Sequence, residues 1–245
     1  MRIDVLTIFP EILASYLEAS LIGKARKKGL LDVVAHDLRS YTQDRHRSVD
    51  DEPYGGGGGM VMTAPPWLAA VRDLMPAAGS ARRLLMSPQG RRLDEAFVRE
   101  LAAEEHLILL CGRYEGVDER VRELIVDDEV SIGDYVLSGG ELPAMVLVEA
   151  VSRQIPGVVG LRQSVENDSF REGLLDYPHY TRPPVVEGLA VPEVLLSGDH
   201  GAIAKWRAEQ ALAATRQKRP DLLSGEGGGR REESDSACNN GPERK

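Results

Sequence analysis

Five consecutive apolar residues, Leu107 to Cys111 (LILLC), run directly into Gly112. A strand with one wet face alternates apolar and polar side chains, so an unbroken apolar run fits a strand covered on both faces, as inside a parallel sheet. Parallel neighbours need crossover connections, which helices supply. The rest of the chain has that rhythm. Arg2 to Thr7 (RIDVLT) has a strand pattern, and from Glu11 the residues Ile12, Leu13, Tyr16, Leu17 and Leu21 recur at helical spacing until Gly29. LDVVA (31–35) is the next strand, Pro65 opens a helix through Leu74, and RRLLM (82–86) is a further strand. Asp94 is placed to cap a helix carrying Ala96, Phe97, Val98 and Leu101. After LILLC come a short helix, VRELIV, and a short strand, EVS. The expected class is α/β with a mainly parallel sheet.

Three strand ends lead into turn-forming loops: Ser87–Gly90, Gly112–Gly116 and Ile132–Gly140. In a parallel sheet such loops emerge at the carboxyl edge, where ligands bind. The last loop belongs to SIGDYVLSGGELP (131–143), which holds Gly133, Gly139 and Gly140 and runs through Pro143 into the apolar helical run AMVLVEAV. Glycine permits a tight turn and close approach to a ligand. Ile132, Val136 and Leu137 are unusual for a solvated loop and suit contact with a flat or apolar ligand, leaving polar recognition to backbone groups. No Lys, Arg or Ser/Thr pair sits among the glycines as a phosphate loop requires. Alone, the stretch fits a buried structural turn equally well; the convergence of three loops favours the ligand.

Asp4 interrupts the N-terminal apolar stretch, and no apolar run reaches the roughly 18 residues of a membrane span, so a cytoplasmic protein is expected. Cys111 and Cys238 form no C-x-x-C pair, which leaves no disulfide framework or zinc ribbon and no metal ligand set. The net charge of −9 argues against nucleic acid at first sight. Its distribution is uneven: Asp118–Asp134 carries seven acids against two arginines, whereas Ser197–Leu223 carries five bases against three acids. A basic segment on an acidic body is compatible with RNA without supporting it.

The segment from His36 to Met60 is too long and polar for a simple connection. Gly55–Gly59 permit close backbone approach, and Arg45, His46 and Arg47 could meet phosphates; a floppy loop with solvated charges fits the composition equally well. Beyond Val151 the chain reads as an exposed linker and then, from about Thr181 to Leu223, as a small helical unit with Ile203, Trp206 and Leu212 as a buried stripe. From Ser224 on, a Gly-, Ser- and charge-rich tail has almost nothing to bury and is expected to be disordered.

No G-x-G-x-x-G follows a strand, and no Walker A, H-E-x-x-H or G-x-S-x-G occurs, which removes the usual support for dinucleotide oxidoreductases, P-loop NTPases, zinc proteases and serine hydrolases. Glycine loops without phosphate ligands suit an adenosine-like ligand. The strings DRHRSVDDEPYGGGGGM, SPQGRRLD, LCGRYEGVDERV, SIGDYVLSGGELPAM, SRQIPGVVG, DSFREGLLDYPHYTRP and VLLSGDH, in this order over Met1 to Leu223, resemble the bacterial tRNA (guanine-N1)-methyltransferases, the TrmD family. The chain departs from the family pattern at Gly58, in a run of five glycines where GGGPG is usual, and in the early onset of the tail.

The resemblance implies a SPOUT-type fold with a deep trefoil knot, a rare topology, plus a small C-terminal helical domain. The implied limits are a knotted donor-binding domain over 1–160, a linker over 161–180, a tRNA-contacting domain over 181–223 and a tail over 224–245. It implies S-adenosylmethionine as methyl donor, a homodimer with the active site at the interface, and methylation of N1 of guanosine 37, immediately 3′ of the tRNA anticodon. The donor would be held by Gly112, Ile132, Gly133, Asp134, Tyr135, Val136 and Leu137, with Gly139 and Gly140 closing the loop. Glu115 would lie near the donor, positioning it or a magnesium ion. Asp168 would be the general base and Arg153 its cationic companion, with Arg45, Arg47, Gly59 and His179 facing tRNA. By spacing alone Asp168 is a solvated carboxylate and Arg153 a surface charge; only the resemblance raises them. A SPOUT enzyme acting on ribosomal RNA and a noncatalytic RNA-binding module are the rival functions.

Overall fold

The computed structural model describes residues 1–75, 80–160 and 168–224 and divides into two units, 1–166 and 167–245. In the first unit the elements run β1 (Arg2–Thr7), α1 (Glu11–Glu18), α2 (Ser20–Lys27), β2 (Asp32–Asp37), β3 (Asp50–Asp51), β4 (Val61–Met62), α3 (Ala64–Leu74), β5 (Arg82–Arg92), α4 (Glu95–Ala102), β6 (His106–Cys111), α5 (Glu119–Ile125), β7 (Asp128–Ser131) and α6 (Glu141–Gln154). Five of them form a wholly parallel sheet in the order β2-β1-β6-β5-β7. Every residue of β6 is buried, as the apolar run requires. Its side chains alternate between two cores: Leu107, Leu109 and Cys111 pack with α1, α2, α4 and α6, while Ile108 and Leu110 pack with α3 and α5. The sheet is therefore covered on both faces, and all its strands end at one edge.

The expected single helix from Glu11 is two helices. Ala19 is extended and Ser20 has φ 47°, so the chain turns sharply and α2 folds back on the end of α1. Gly23 permits it, because a Cβ there would stand 2.1 Å from the Glu18 carbonyl oxygen. The second difference is at Ser87–Gly90. The strand does not stop at Met86: β5 continues to Arg92 with a register shift, Met86 and Arg91 both pairing with Val130, so four residues bulge from the sheet. Asp94 caps α4 as expected, its side chain accepting the Phe97 N–H.

The long polar segment is pinned at its base by the antiparallel pair β3–β4, and the Thr63 N–H donates to the Val49 carbonyl at 2.8 Å. Asp4, met in the sequence only as a break in an apolar stretch, is fully buried. It accepts hydrogen bonds from Arg2 Nε, His36 Nε2 and His106 Nε2, each at 2.7 Å.

In the second unit, a two-residue hairpin of β8 (Val185–Val186) and β9 (Leu189–Ala190) precedes α7 (His200–Lys218) and α8 (Asp221–Ser224). The hairpin has no counterpart in the helical reading. Nor is the expected stripe buried: Ile203, Trp206 and Leu212 are all half-exposed, and Thr215 is the buried residue of α7. Thr215 Oγ1 accepts the Leu175 N–H at 2.9 Å, so the turn-rich segment before Thr181 packs on this helix. The tail from 225 on, including Cys238, lies outside the described residues, as does 161–167 of the expected linker.

Candidate active site

The parallel sheet brings the loop after β6, the loop after β7 and the bulge of β5 to one edge, where they enclose a pocket of about 380 Å³. From the second loop, Ile132, Gly133, Tyr135, Val136, Leu137, Gly139 and Gly140 line it; from the first, Gly112, Arg113 and Glu115. Ser87, Pro88 and Gln89 of the bulge and Pro143 of α6 complete the wall. Asp134, expected among the donor contacts, is exposed and is not part of the lining. Tyr135, Val136 and Leu137 keep much of their apolar surface exposed here, 83% for Val136, as a surface left for a ligand would be.

The loop after β7 is shaped by its own short bonds. Ser131 Oγ lies 3.2 Å from both the N–H and the carbonyl of Gly133, and the Tyr135 N–H donates to that same carbonyl at 2.9 Å. Gly133 has φ 147°, where an L side chain is strained, and a Cβ there would stand 2.6 Å from the Tyr135 ring. The end of the loop is tied across to the β6 loop: the Gly140 N–H donates to the Gly112 carbonyl at 3.0 Å, and Arg113 and Gly139 form an isolated antiparallel bridge.

The glycine run reaches this pocket. The Glu115 N–H donates to the Met60 carbonyl at 3.0 Å, and a Cβ on Gly59 would stand 2.4 Å from Glu115 Oε1. Gly59, expected on tRNA, thus abuts a pocket residue. Arg45 and Arg47 are exposed, beside Asp44, whose carboxylate accepts the Ser48 and His46 N–H groups. Those contacts, led by the Ser48 backbone, hold the Asp44 carboxyl below its ordinary range. Arg153 is half-buried in the last turn of α6, in the first unit. Asp168 and His179 belong to the second unit: Asp168 is exposed, and His179 Nε2 is 2.8 Å from Asp176 Oδ2.

Two groups at the site were not foreseen. Glu141, the first residue of α6, is buried at 1% exposure and joined to Arg113 and Thr7. Glu129 lines the pocket with one oxygen held by Arg122 and the other, Oε2, buried without a hydrogen-bond partner among the described residues. In sequence both stand among many surface carboxylates. Glu141 alone carried a hint, since it lies between the glycine pair and the proline of a helix start. Among the described residues no group of three or more His, Cys, Asp or Glu is placed to hold a metal, and no helix is long and apolar enough to cross a membrane.

Fold and pocket together define a parallel α/β protein with a partly apolar pocket at the carboxyl edge of its sheet. The chain belongs to the tRNA (guanine-1)-methyltransferase family, TrmD, of the SPOUT class: the family's model matches residues 1–225. It is 56% identical over 226 residues to a tRNA (guanine-N(1)-)-methyltransferase of Moorella thermoacetica, covering 91% of this chain and 90% of the relative. Relatives of the same name from Stutzerimonas stutzeri and Proteus mirabilis are 56% and 54% identical over 224 residues, again covering 91% of this chain and 90% of each.

Proposed function

We propose that the protein methylates N1 of guanosine 37 in tRNA, using S-adenosylmethionine bound in the pocket at the carboxyl edge. The observation that carries the reading is the convergence of three glycine-bearing segments on one pocket in a chain of this family. The residues present fit the donor. The volume suits a nucleoside carrying an amino-acid arm, Ile132, Val136 and Leu137 offer apolar surface for a flat base, and no lysine stands among the lining residues as a phosphate ligand.

When bound, S-adenosylmethionine supplies an electrophilic methyl group. The work of the chain is to prepare the nucleophile. Neutral guanine holds a proton on N1, and Asp168 accepts it, a contribution of about 10²–10⁴ in rate. Negative charge then grows on O6, where Arg153 stabilises it by roughly 3–4 kcal/mol. A bound donor would supply the methyl group to the N1 lone pair so prepared, its carbon–sulfur electron pair leaving with sulfur. That displacement needs the reacting atoms in line, which a rigid loop provides. Asp168 reaches the pocket from the other protomer of a homodimer. Supporting that arrangement, Ile12 of α1 and Leu142 and Val146 of the adjoining α6 leave an apolar surface exposed on the first unit. Arg45, Arg47, Gly59 and His179 contact tRNA, as does the second unit. The family's trefoil knot and a cytoplasmic location belong to the same reading.

Labelled-methyl transfer to purified tRNA and ribosomal RNA, followed by mapping of the modified nucleotide, tests the proposal. Label at N1 of guanosine 37 of tRNA is expected; label in ribosomal RNA alone, or none with bound donor, overturns it.

A further inference from the structure

The pocket loop is held at Gly139 by a charge pair neither of whose members was among the expected ligand residues. Glu141 is buried, and each of its oxygens is engaged. Oε1 accepts from Thr7 Oγ1 at 2.7 Å, and Arg113 Nε and Nη2 approach Oε2 at 3.0 and 2.9 Å. Thr7 Oγ1 in turn accepts the Phe9 N–H at 2.9 Å, and the Arg113 guanidinium lies 4.8 Å over the Phe9 ring. The Arg113 N–H donates to Met62 Sδ at 3.2 Å. Three separate parts of the chain meet here: the end of β1, the loop after β6, and the start of α6. A fourth, the end of the pocket loop, is trapped between them. A Cβ on Gly139 would stand 2.2 Å from Arg113 Nε and 2.6 Å from Glu141 Oε2, and one on Gly140 would stand 2.7 Å from Cys111 Cα.

Energetics set this apart from an ordinary buried salt bridge. Desolvating two charges costs about as much as their attraction returns, and apolar residues of similar volume often serve stability equally well. A pair of this kind is poor support for folding but good support for direction, because both partners must point at one another with hydrogen bonds satisfied. With the guanidinium and carboxylate in these positions only a glycine fits at 139, whereas the room at 140 is limited by Cys111 and Met86.

We propose that Arg113 and Glu141, with Thr7, are positioning residues for the methyl donor: their largely buried pair sets the course of the loop at Gly139 and thereby the shape of the pocket. The proposal rests on the donor reading above. The pair acts on the loop and not on the reacting atoms, so its loss weakens donor binding more than it slows transfer at saturation.

The test uses the full chain, calorimetry with S-adenosylmethionine, and steady-state methylation. Glu141→Gln keeps the shape and the Thr7 contact but removes the charge; Arg113→Lys keeps the charge but cannot reproduce the two-pronged contact. Each is expected to raise KM for the donor and weaken its binding on the order of tenfold, about 1.4 kcal/mol, with kcat changed much less. The double variant Arg113→Met/Glu141→Leu replaces the pair by apolar side chains, and its thermal midpoint is expected to return towards wild type while KM for the donor stays raised. Recovery of midpoint and donor affinity together would mean that the pair acts through stability alone and would overturn the proposal. So would wild-type donor affinity in both single variants. If Glu141→Gln does not fold, Arg113→Lys carries the same comparison. Absence of donor binding in the wild type removes the donor reading and this proposal with it; unaltered binding in the variants beside a binding wild type removes this proposal alone.

Discussion

Replacing Asp4 by alanine strikes the most deeply buried charge of the sheet, far along β1 from the pocket edge that Thr7 marks. The carboxylate is at 0% exposure, and three side chains donate to it: Arg2, His36 and His106. Arg2 is half-exposed, so its contact is screened and counts for little. The two histidines, at 19% and 9% exposure, are not screened in that way, and the variant leaves them facing a cavity. Breaking a buried hydrogen-bonded pair costs about 3–5 kcal/mol, and the lower end, about 3, applies with one partner solvated. For a unit of this size that corresponds to a fall in melting temperature of roughly 6–12 °C. The pH dependence gives a second readout. Burial by itself would raise the Asp4 pKa, but hydrogen bonds from His36, Arg2 and His106 outweigh it and hold the carboxyl below its ordinary 3.8. A depressed carboxylate contributes stability that is present above the unfolded value and is lost as pH falls through the folded one. The gap between wild type and Asp4→Ala is therefore expected to be full at neutral pH and to close below about pH 4. Chemical denaturation across that range measures it. A gap under about 1 kcal/mol at pH 7, or one that does not narrow in acid, refutes the reasoning.

Three further outcomes follow from the site. Asp168→Ala is expected to lower the rate of transfer by about 10²–10⁴ while calorimetric donor binding is retained; loss of both in parallel removes the residue as base. Arg45→Ala with Arg47→Ala is expected to weaken tRNA binding and to flatten its salt dependence by up to about two phosphate contacts, and an unchanged slope places the phosphates elsewhere. Gly140→Ala sets a methyl 2.7 Å from Cys111 Cα, which neither backbone can yield without moving the loop. Donor affinity is expected to fall at least about tenfold against an overpacking cost of about 1–3 kcal/mol, and wild-type affinity would show that the loop tolerates the shift.

The frame was legible wherever periodicity had one cause. LILLC, too short for a helix of its own, fits a strand covered twice, and every residue of β6 is buried. The Asp94 cap was legible because a side chain three positions from an amide needs no tertiary help. What failed needed distant partners. The break at Ser20 depends on Gly23 meeting Glu18 across a turn, and within the helical pattern nothing marks it. Ser87–Gly90 reads as a loop from its turn residues, yet β7 continues beyond it and draws the chain back into register as a bulge. Trp206 and its neighbours have core spacing, but the second unit is too small to bury the stripe. The site divides in the same way. Its glycines were visible as glycines, whereas Glu141 matters through Thr7, 134 positions away.

Charge shows most clearly why a sum over the sequence misleads about partners. The net charge of −9 was the objection to RNA, yet in the acid-rich stretch Asp118–Asp134 five of the seven acids are paired: Asp118 with Arg120, Glu119 and Glu129 with Arg122, Asp127 with Arg83 and Asp128 with Arg82. The pairs of Asp118 and Glu119, each with an exposed member, add little stability. Their effect is on the field, since they neutralise the acids locally and occupy arginines that would otherwise face solvent. Arg45 and Arg47, by contrast, have no ion pair among the described residues, and they stand on the polar segment whose glycine run ends against Glu115 at the pocket. Both guanidinium groups are exposed, on a segment that also carries Asp44, Asp50, Asp51 and Glu52. If RNA phosphates meet these two arginines, added salt screens the attraction, so association rates for tRNA should fall with ionic strength in the wild type and less in the Arg45/Arg47 double variant. Equal salt dependence of the two rates would mean that the attraction arises elsewhere on the chain.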